Sequence, residues 1–183
     1  MPWFVAPEEL RFDDILVRSW RPGDGPALAA AVRESYPHLI RWMPWPKVDL
    51  SDAEAENTCR MNRGRWLKNE DFVLSVWEGN VVVGGSGFHL RRGPLSDGVA
   101  EIGMWIASSH AGTGLGTRLL RELVGWGFGP WGFERLEWRC DPENIGSWRV
   151  AEKAGLSLEG VLRSQAVTSA GRRDTRVYAA TKT

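Results

Sequence analysis

Three glycines at alternate positions, Gly112, Gly114 and Gly116, do most to limit what this chain can fold into. Before them stands an apolar, β-leaning run (Ile102, Met104, Trp105, Ile106). After them a helical apolar pattern opens at Leu115, Leu119, Leu120 and Leu123. A strand that turns on glycines into a helix leaves backbone N–H groups unpaired at the helix N-terminus, where the helix dipole favours an anion. Glycine also permits left-handed dihedrals and close backbone approach to a phosphate. The stretch reads either as a phosphate cradle or as a plain flexible turn. Two nucleotide-binding patterns are excluded. No Gly-Lys-Ser/Thr ending is present, so the P-loop pattern fails. The G-x-G-x-G spacing lacks the third glycine position of the dinucleotide fingerprint, and no acidic residue ends a second strand about 20 residues on.

At 183 residues the chain suits one well-cored domain and is short for two, so 1–183 is read as a single domain with a loosely ordered lead-in at 1–14. Lys plus Arg and Asp plus Glu both number 23, which points away from nucleic acid and from an anionic membrane as partners. Net charge says nothing about distribution, so a local basic patch stays open. Cys59 and Cys140 lie far apart without C-x-x-C spacing. That fits a reducing cytoplasmic setting and argues against a metal site. No apolar run approaches the roughly 18 residues of a membrane span, and the N-terminus does not read as a signal peptide. Eleven tryptophans against two tyrosines exceed what core packing normally asks, so some should line an apolar cleft while most are core.

Residues 15–20 alternate apolar and polar and read as a first strand. The turn Arg21-Pro-Gly-Asp-Gly-Pro follows, with Asp24 placed to cap a helix over 26–35. Three prolines in 36–46 argue against one regular helix there. Ser51-Asp-Ala-Glu predicts a capping box opening a helix to about residue 67. Strands at 72–78 and 81–90 flank the hairpin signal Gly79-Asn80, and Gly84-Gly85-Ser86-Gly87 marks a bulge or close backbone approach. A strand at 99–107 enters the glycine turn, and a helix over about 114–127 leaves it. Residues 133–140 form the next strand, with Arg135, Glu137 and Arg139 on one face. A helix from about Asn144 to Lys153 ends at Gly155, and a hairpin around Ala170-Gly171 closes one mixed α/β layer.

Beyond the loop, the residues resemble a known family. Ala111, Gly112, Thr113, Gly114, Leu115 and Gly116 fit the Arg/Gln-x-x-Gly-x-Gly/Ala signature of the GNAT N-acetyltransferases. Cys140-Asp-Pro-Glu-Asn-Ile-Gly-Ser-Trp-Arg-Val-Ala-Glu-Lys-Ala-Gly-Leu is similar to the N-x-x-S-x-x-x-x-E-K-x-G-F segment of the RimJ/RimL branch, which acetylates ribosomal-protein N-termini. Leu16-Val-Arg-Ser-Trp-Arg-Pro-Gly-Asp resembles that branch's opening strand and turn, and Trp42-Met-Pro-Trp-Pro its early substrate-side segment. The set spans nearly the whole chain in order. It departs at Ala111, where the family carries an Arg or Gln that often helps hold the pyrophosphate. The resemblance implies an α/β fold of the α+β mixed-sheet kind, its central, mostly antiparallel sheet splayed between two strands and flanked by helices. It also implies acyl transfer, most simply acetyl from acetyl-CoA, to a primary amine by direct attack in a ternary complex. The acceptor would be a protein N-terminal α-amine or a small-molecule amine, and a homodimer would follow the branch.

Such a reaction needs the pyrophosphate held, the pantetheine arm aligned, the ammonium deprotonated and the thiolate stabilised. The N–H groups of Gly112, Gly114, Leu115, Gly116 and their neighbours Ala111, Thr113 and Thr117 suit the first. The resemblance assigns the pantetheine arm to the strand edge Met104, Trp105, Ile106 and Ala107. Glu101, in the strand entering the turn, is the first candidate base, with His38 and His89 as alternatives of suitable intrinsic pKa. Ser147 matches the branch's proton donor to sulfur, since no tyrosine follows Asn144 at the family's distance and Tyr178 lies in the last strand. Asn144 would then contact the pantetheine; both residues also suit plain helix capping. His38, Arg41, Trp42 and Trp45, with His89, would shape the acceptor cleft. Gly84, Gly85 and Gly87 leave room in principle for succinyl or a longer acyl group. A non-catalytic acyl-CoA-binding domain is the competing reading.

Overall fold

The structure, a computed structural model, describes residues 4–168 and 171–182, so Ala170 of the expected closing turn lies outside the described residues. Eight strands form one sheet: β1 (Glu9–Phe12), β2 (Ile15–Ser19), β3 (Phe72–Glu78), β4 (Val81–His89), β5 (Val99–Ile106), β6 (Arg135–Cys140), β7 (Ser157–Thr168) and β8 (Gly171–Thr181). Their order is β1-β2-β3-β4-β5-β6-β8-β7, antiparallel except for β5 against β6. The mixed sheet expected from the sequence is therefore the one observed. Four helices accompany it: α1 (Gly25–Leu39), α2 (Asp52–Leu67), α3 (Leu115–Phe128) and α4 (Ile145–Lys153).

Each element follows from its residues, with three corrections. The lead-in holds a strand: Glu9-Leu-Arg-Phe pairs with β2 across Asp13-Asp14, where Asp13 takes φ +48°. Four residues of alternation are too few to stand out in a polar segment. Helix α1 runs past the expected stop at residue 35 and through Pro37 to Leu39. Proline there removes one N–H donor near the helix end, a smaller loss than in mid-helix. Asp24 occupies the α1 N-cap without capping it. Its carboxylate instead accepts from Arg18 at 2.7 and 2.9 Å and from the Arg21 N–H at 2.8 Å. The α1 entry is served from α2, where the Glu56 carboxylate accepts from the N–H groups of Gly23 and Gly25 at 2.9 to 3.1 Å. The close backbone approach expected at the β4 glycines is present, a Cβ on Gly84 falling 2.5 Å from Trp105 O, and a bulge at Val83 stands just ahead of them, between Val82↔Trp77 and Gly84↔Val76. The α2 capping box forms as predicted, Ser51 with Glu54, and these hydrogen bonds with Lys47 hold the Glu54 carboxyl down at about 2.

Two apolar clusters anchor the layers. Trp20, Leu28, Val32, Cys59 and Trp77 join α1 and α2 to the first strands. Leu115, Leu119, Leu120 and Leu123 of α3 pack into the larger cluster with Phe88, Ile102 and Leu136. Within it the Trp131 ring lies 4.7 to 5.9 Å from Phe72, Phe88, Trp126, Trp66 and Phe133. Most of the tryptophan surplus is accordingly scaffold.

Two helical glycines should respond oppositely to alanine. A Cβ on Gly25 would fall 2.5 Å from the α2 backbone at Glu56, whereas Gly125 of α3 is exposed with open space around it. Thermal denaturation should show Gly25→Ala losing about 1–3 kcal/mol through overpacking. Gly125→Ala should gain about 0.5–1 kcal/mol through helix propensity.

Candidate active site

Strands β5 and β6 pair in parallel only at Val99↔Arg135, Ala100↔Leu136 and Glu101↔Glu137. Beyond Glu101 they separate. The opening is a cleft of about 500 Å³ that runs along 101–106 of β5 and 138–141 at the end of β6. The glycine loop and α4 form one end of it, and His38, Leu39, Trp42 and Met43 another wall.

At the loop, Gly112 and Gly114 take φ of +78° and +87°, a region that glycine enters without Cβ strain. Ala111 and Thr113 spend their N–H groups on the turn itself, bonding the carbonyls of Ser108 and His110 at 3.3 and 3.4 Å. Thr113 also donates its hydroxyl to the His110 carbonyl, and the Thr117 N–H bonds Gly114. Among the described residues no backbone carbonyl takes the N–H groups of Gly112, Gly114, Leu115 and Gly116. The N–H groups left without a backbone acceptor are thus a narrower set than the whole loop. Leu115 contributes only backbone, since its side chain is buried in the core.

Ala111 lines the cleft without a charge, but two cations reach the same cavity from α4. Arg149 and Lys153, one turn apart, line it and have no ion-pair partner among the described residues. Sequence reading missed this pair; the signal was the i,i+4 spacing of two bases on the helix that follows Asn144. His110 also lines the cleft, its Nε2 3.2 Å from Glu78 Oε2.

At the far end of the pairing, Glu101 is mostly buried, with Arg91 Nε at 3.1 Å and Arg139 Nε at 3.4 Å. Burial pushes its carboxyl above the ordinary value, with Arg91 and His89 pulling the other way. Ser147 stands across the opening. Its Oγ accepts from the Trp138 indole N–H at 3.1 Å, so the hydroxyl still has its own hydrogen to give, with the Cys140 sulfur as one taker. Cys140 lies beside it, its thiol pushed up by burial and partly held back by the Ser147 hydroxyl. Asn144 caps α4, its Oδ1 accepting from the Ser147 N–H at 3.1 Å. The capping role is therefore real, and the Asn144 amide N–H₂ remains available to the cleft.

The other expected positions divide. Met104, Trp105 and Ile106 line the cleft, but Ala107 is buried with its N–H on Val83 O at 2.9 Å. His38 and Trp42 line it too. Arg41 instead lies over the Trp42 ring at 5.4 Å, and Trp45 is half exposed, edge-on to Trp105 at 5.9 Å. His89 faces away, its Nδ1 2.8 Å from Asp71 Oδ1 in a separate small pocket. Nor do the β4 glycines leave space for a longer acyl chain. A Cβ on Gly85 would lie 2.4 Å from Trp105 Nε1, and one on Gly87 3.1 Å from the His89 ring. The room is filled by aromatic side chains. Among the described residues no group of three or more His, Cys, Asp or Glu is placed to hold a metal ion.

These features agree with comparisons to known proteins. The acetyltransferase (GNAT) domain family profile matches residues 14–157, and the chain belongs to that family. Probable N-acetyltransferase YjcK of Bacillus subtilis is 38% identical over 76 residues, 42% of this chain and 41% of that protein. The Escherichia coli ribosomal-protein-serine acetyltransferase is 26% identical over 141 residues, 77% of this chain and 78% of that protein. The fold is that of the Microcin C7 self-immunity acetyltransferase MccE, solved with acetyl-CoA and AMP: TM-score 0.87 at 19% identity, covering 97% and 98% of the two chains. It is also that of the ribosomal L7/L12 α-N-protein acetyltransferase RimL, solved with coenzyme A: TM-score 0.85 at 21% identity, covering 95% and 98%.

The double duty of Asn144 separates by substitution. Asn144→Ala should lower stability by about 1 kcal/mol through loss of the cap, whereas Asn144→Asp, which still caps, should unfold close to the wild-type midpoint in urea.

Proposed function

We propose that the chain is an acetyl-CoA-dependent N-acetyltransferase that passes acetyl directly to a primary amine held beside it. The observation that carries this reading is the parting of β5 and β6, which leads from an anion-binding loop at one end to a buried carboxylate at the other. The N–H groups of Gly112, Gly114, Leu115 and Gly116 would hold the pyrophosphate, with Arg149 and Lys153 supplying the charge that Ala111 lacks. The β5 edge from Met104 to Ile106 suits the amide-bearing pantetheine arm, whose N–H and C=O groups can continue the sheet.

Glu101 then takes a proton from the incoming ammonium, directly or through a water, and its raised pKa brings it closer to the working pH. The freed amine attacks the thioester carbonyl; the C–N bond forms, the C–S bond breaks, and the electron pair leaves on sulfur. Ser147, fixed by Trp138 and by the Asn144 cap, donates its hydroxyl hydrogen toward that sulfur. Trp42 and His38 form part of the opposite wall. The likeness to ribosomal-protein acetyltransferases supports a protein N-terminus as one acceptor class, and a reducing cytoplasm suits the free Cys140. A homodimer in the manner of the branch completes the reading.

Thiol release from acetyl-CoA against a panel of amines and peptides tests it. Glu101→Gln should lower kcat/KM by about 10²-fold or more. In wild type kcat/KM should rise with pH as Glu101 loses its proton, with a midpoint above the ordinary carboxylate value of about 4.3, and that limb should vanish in Glu101→Gln. Ser147→Ala should reduce kcat by about 10- to 100-fold, the worth of one hydrogen bond to a developing charge. Arg149→Ala or Lys153→Ala should raise KM for acetyl-CoA about 3- to 10-fold at nearly constant kcat. Full turnover by Glu101→Gln and Ser147→Ala would remove both residues from the chemistry.

A further inference from the structure

The cleft does not end at Glu101. A second cavity of about 360 Å³ opens on its far side, and Glu101, Arg139, Cys140, Asp141 and Arg173 line both. The outer walls are Arg91 and Arg92, from the loop between β4 and β5, and Gln165, Ala166 and Thr175 of the β7–β8 hairpin. Four guanidinium groups therefore face this space against two lining carboxylates, Glu101 and Asp141.

The arginines are incompletely used by their partners. Arg92 Nε reaches Glu137 only at 3.4 Å and Arg139 the same carboxylate at 3.3 Å, while Arg135 Nε occupies its other oxygen at 3.1 Å. Charge-assisted hydrogen bonds close to about 2.7–2.9 Å when geometry allows. Only Arg173 does so, with Asp141 at 2.7 Å. Among the described residues the buried Nε atoms of Arg139 and Arg173 make no hydrogen bond; Arg139 Nε has only the Glu101 carboxylate at 3.4 Å as an ion-pair neighbour. Each guanidinium carries five donors in a fixed fork, so most donors around this cavity are unspent. Buried donors without acceptors cost free energy unless a ligand supplies one.

Resting on the N-acetyltransferase reading above, we infer that the acceptor is a small amine bearing an acidic group, a carboxylate or a phosphate, and that this arginine cradle binds the acid while the amine points to Glu101. Arg92 and Arg173 form the outer and inner parts of the cradle. The same charges disfavour polyamine-like acceptors, which would place a second cation among the guanidiniums.

Matched acceptors decide it: alanyl-aspartate, alanyl-asparagine and alanyl-lysine, with 2-aminoethyl phosphate beside ethanolamine as the phosphate arm. With acetyl-CoA in excess, kcat/KM for the acidic member of each pair should exceed its neutral counterpart by about tenfold or more. In Arg92→Gln and Arg173→Gln that preference should fall to within about threefold, with KM for acetyl-CoA unchanged. Preference for aspartate but not phosphate would restrict the acid to a carboxylate, and the reverse would restrict it to a phosphate. Equal or better turnover of alanyl-asparagine or alanyl-lysine overturns the cradle and leaves the acetyltransferase reading standing. If no acceptor releases thiol, the acetyltransferase reading falls, and thermal shifts by the same compounds decide the cradle alone. Stabilisation by the acidic members that Arg92→Gln abolishes supports it; no difference from the neutral members overturns it.

Discussion

Everything about this site depends on a parallel strand pair that lasts for three residues. Strand β5 is paired with β4 from Glu101 to Ile106, and β6 with β8 throughout, so neither loses its place in the sheet when they part beyond Glu101 and Glu137. What they lose is each other. A strand edge that water or a ligand must satisfy is thereby exposed inside the protein rather than at its rim. The glycine loop at the end of β5 and the capped N-terminus of α4 beyond β6 lie at the same opening because each follows its strand. One local failure of pairing thus brings an unpaired strand edge, a glycine turn with unspent N–H groups and a positioned hydroxyl into a single cavity.

The last paired position sets two glutamates side by side, Glu101 opposite Glu137. Like charges across a ladder repel, and here both are largely withdrawn from solvent. The protein answers with arginine: Arg92, Arg135 and Arg139 around Glu137, Arg91 and Arg139 around Glu101. The sharing is uneven. Glu137 is met by three guanidiniums and Glu101 by two, and burial raises the Glu101 carboxyl above its ordinary value.

Much of this was legible before any coordinates. The strands and helices from residue 51 onward are where apolar periodicity and the capping box place them, to within a few residues, because those signals are local. The glycine loop, Ser147 and Asn144 were found through motif, and Glu101 through its place in the strand. What escaped was decided by neighbours distant in sequence. Glu56, on the second helix, serves the N–H groups at the entry of the first, 31 residues earlier at Gly25. Asp24 gave up its capping role because Arg18 competes for it. His89 was drawn away from the cleft by Asp71, and the α4 cations became visible only once the loop was seen beside that helix. Balanced net charge likewise concealed an arginine-rich wall, since a whole-chain total does not show that Arg91, Arg92, Arg139 and Arg173 gather around one cavity.

The glycines of β4 have one more consequence. The Trp105 indole can lie flat across the neighbouring strand only because Gly85 presents no side chain there, and the same indole forms part of the cleft wall. Any residue larger than glycine at position 85 would have to swing that ring toward the reacting centre or toward Trp45. The width of the cleft at that wall is thus governed from position 85, which does not line it. Drift in donor or acceptor preference among related chains should be traceable to this hidden hinge as readily as to the residues that line the cavity.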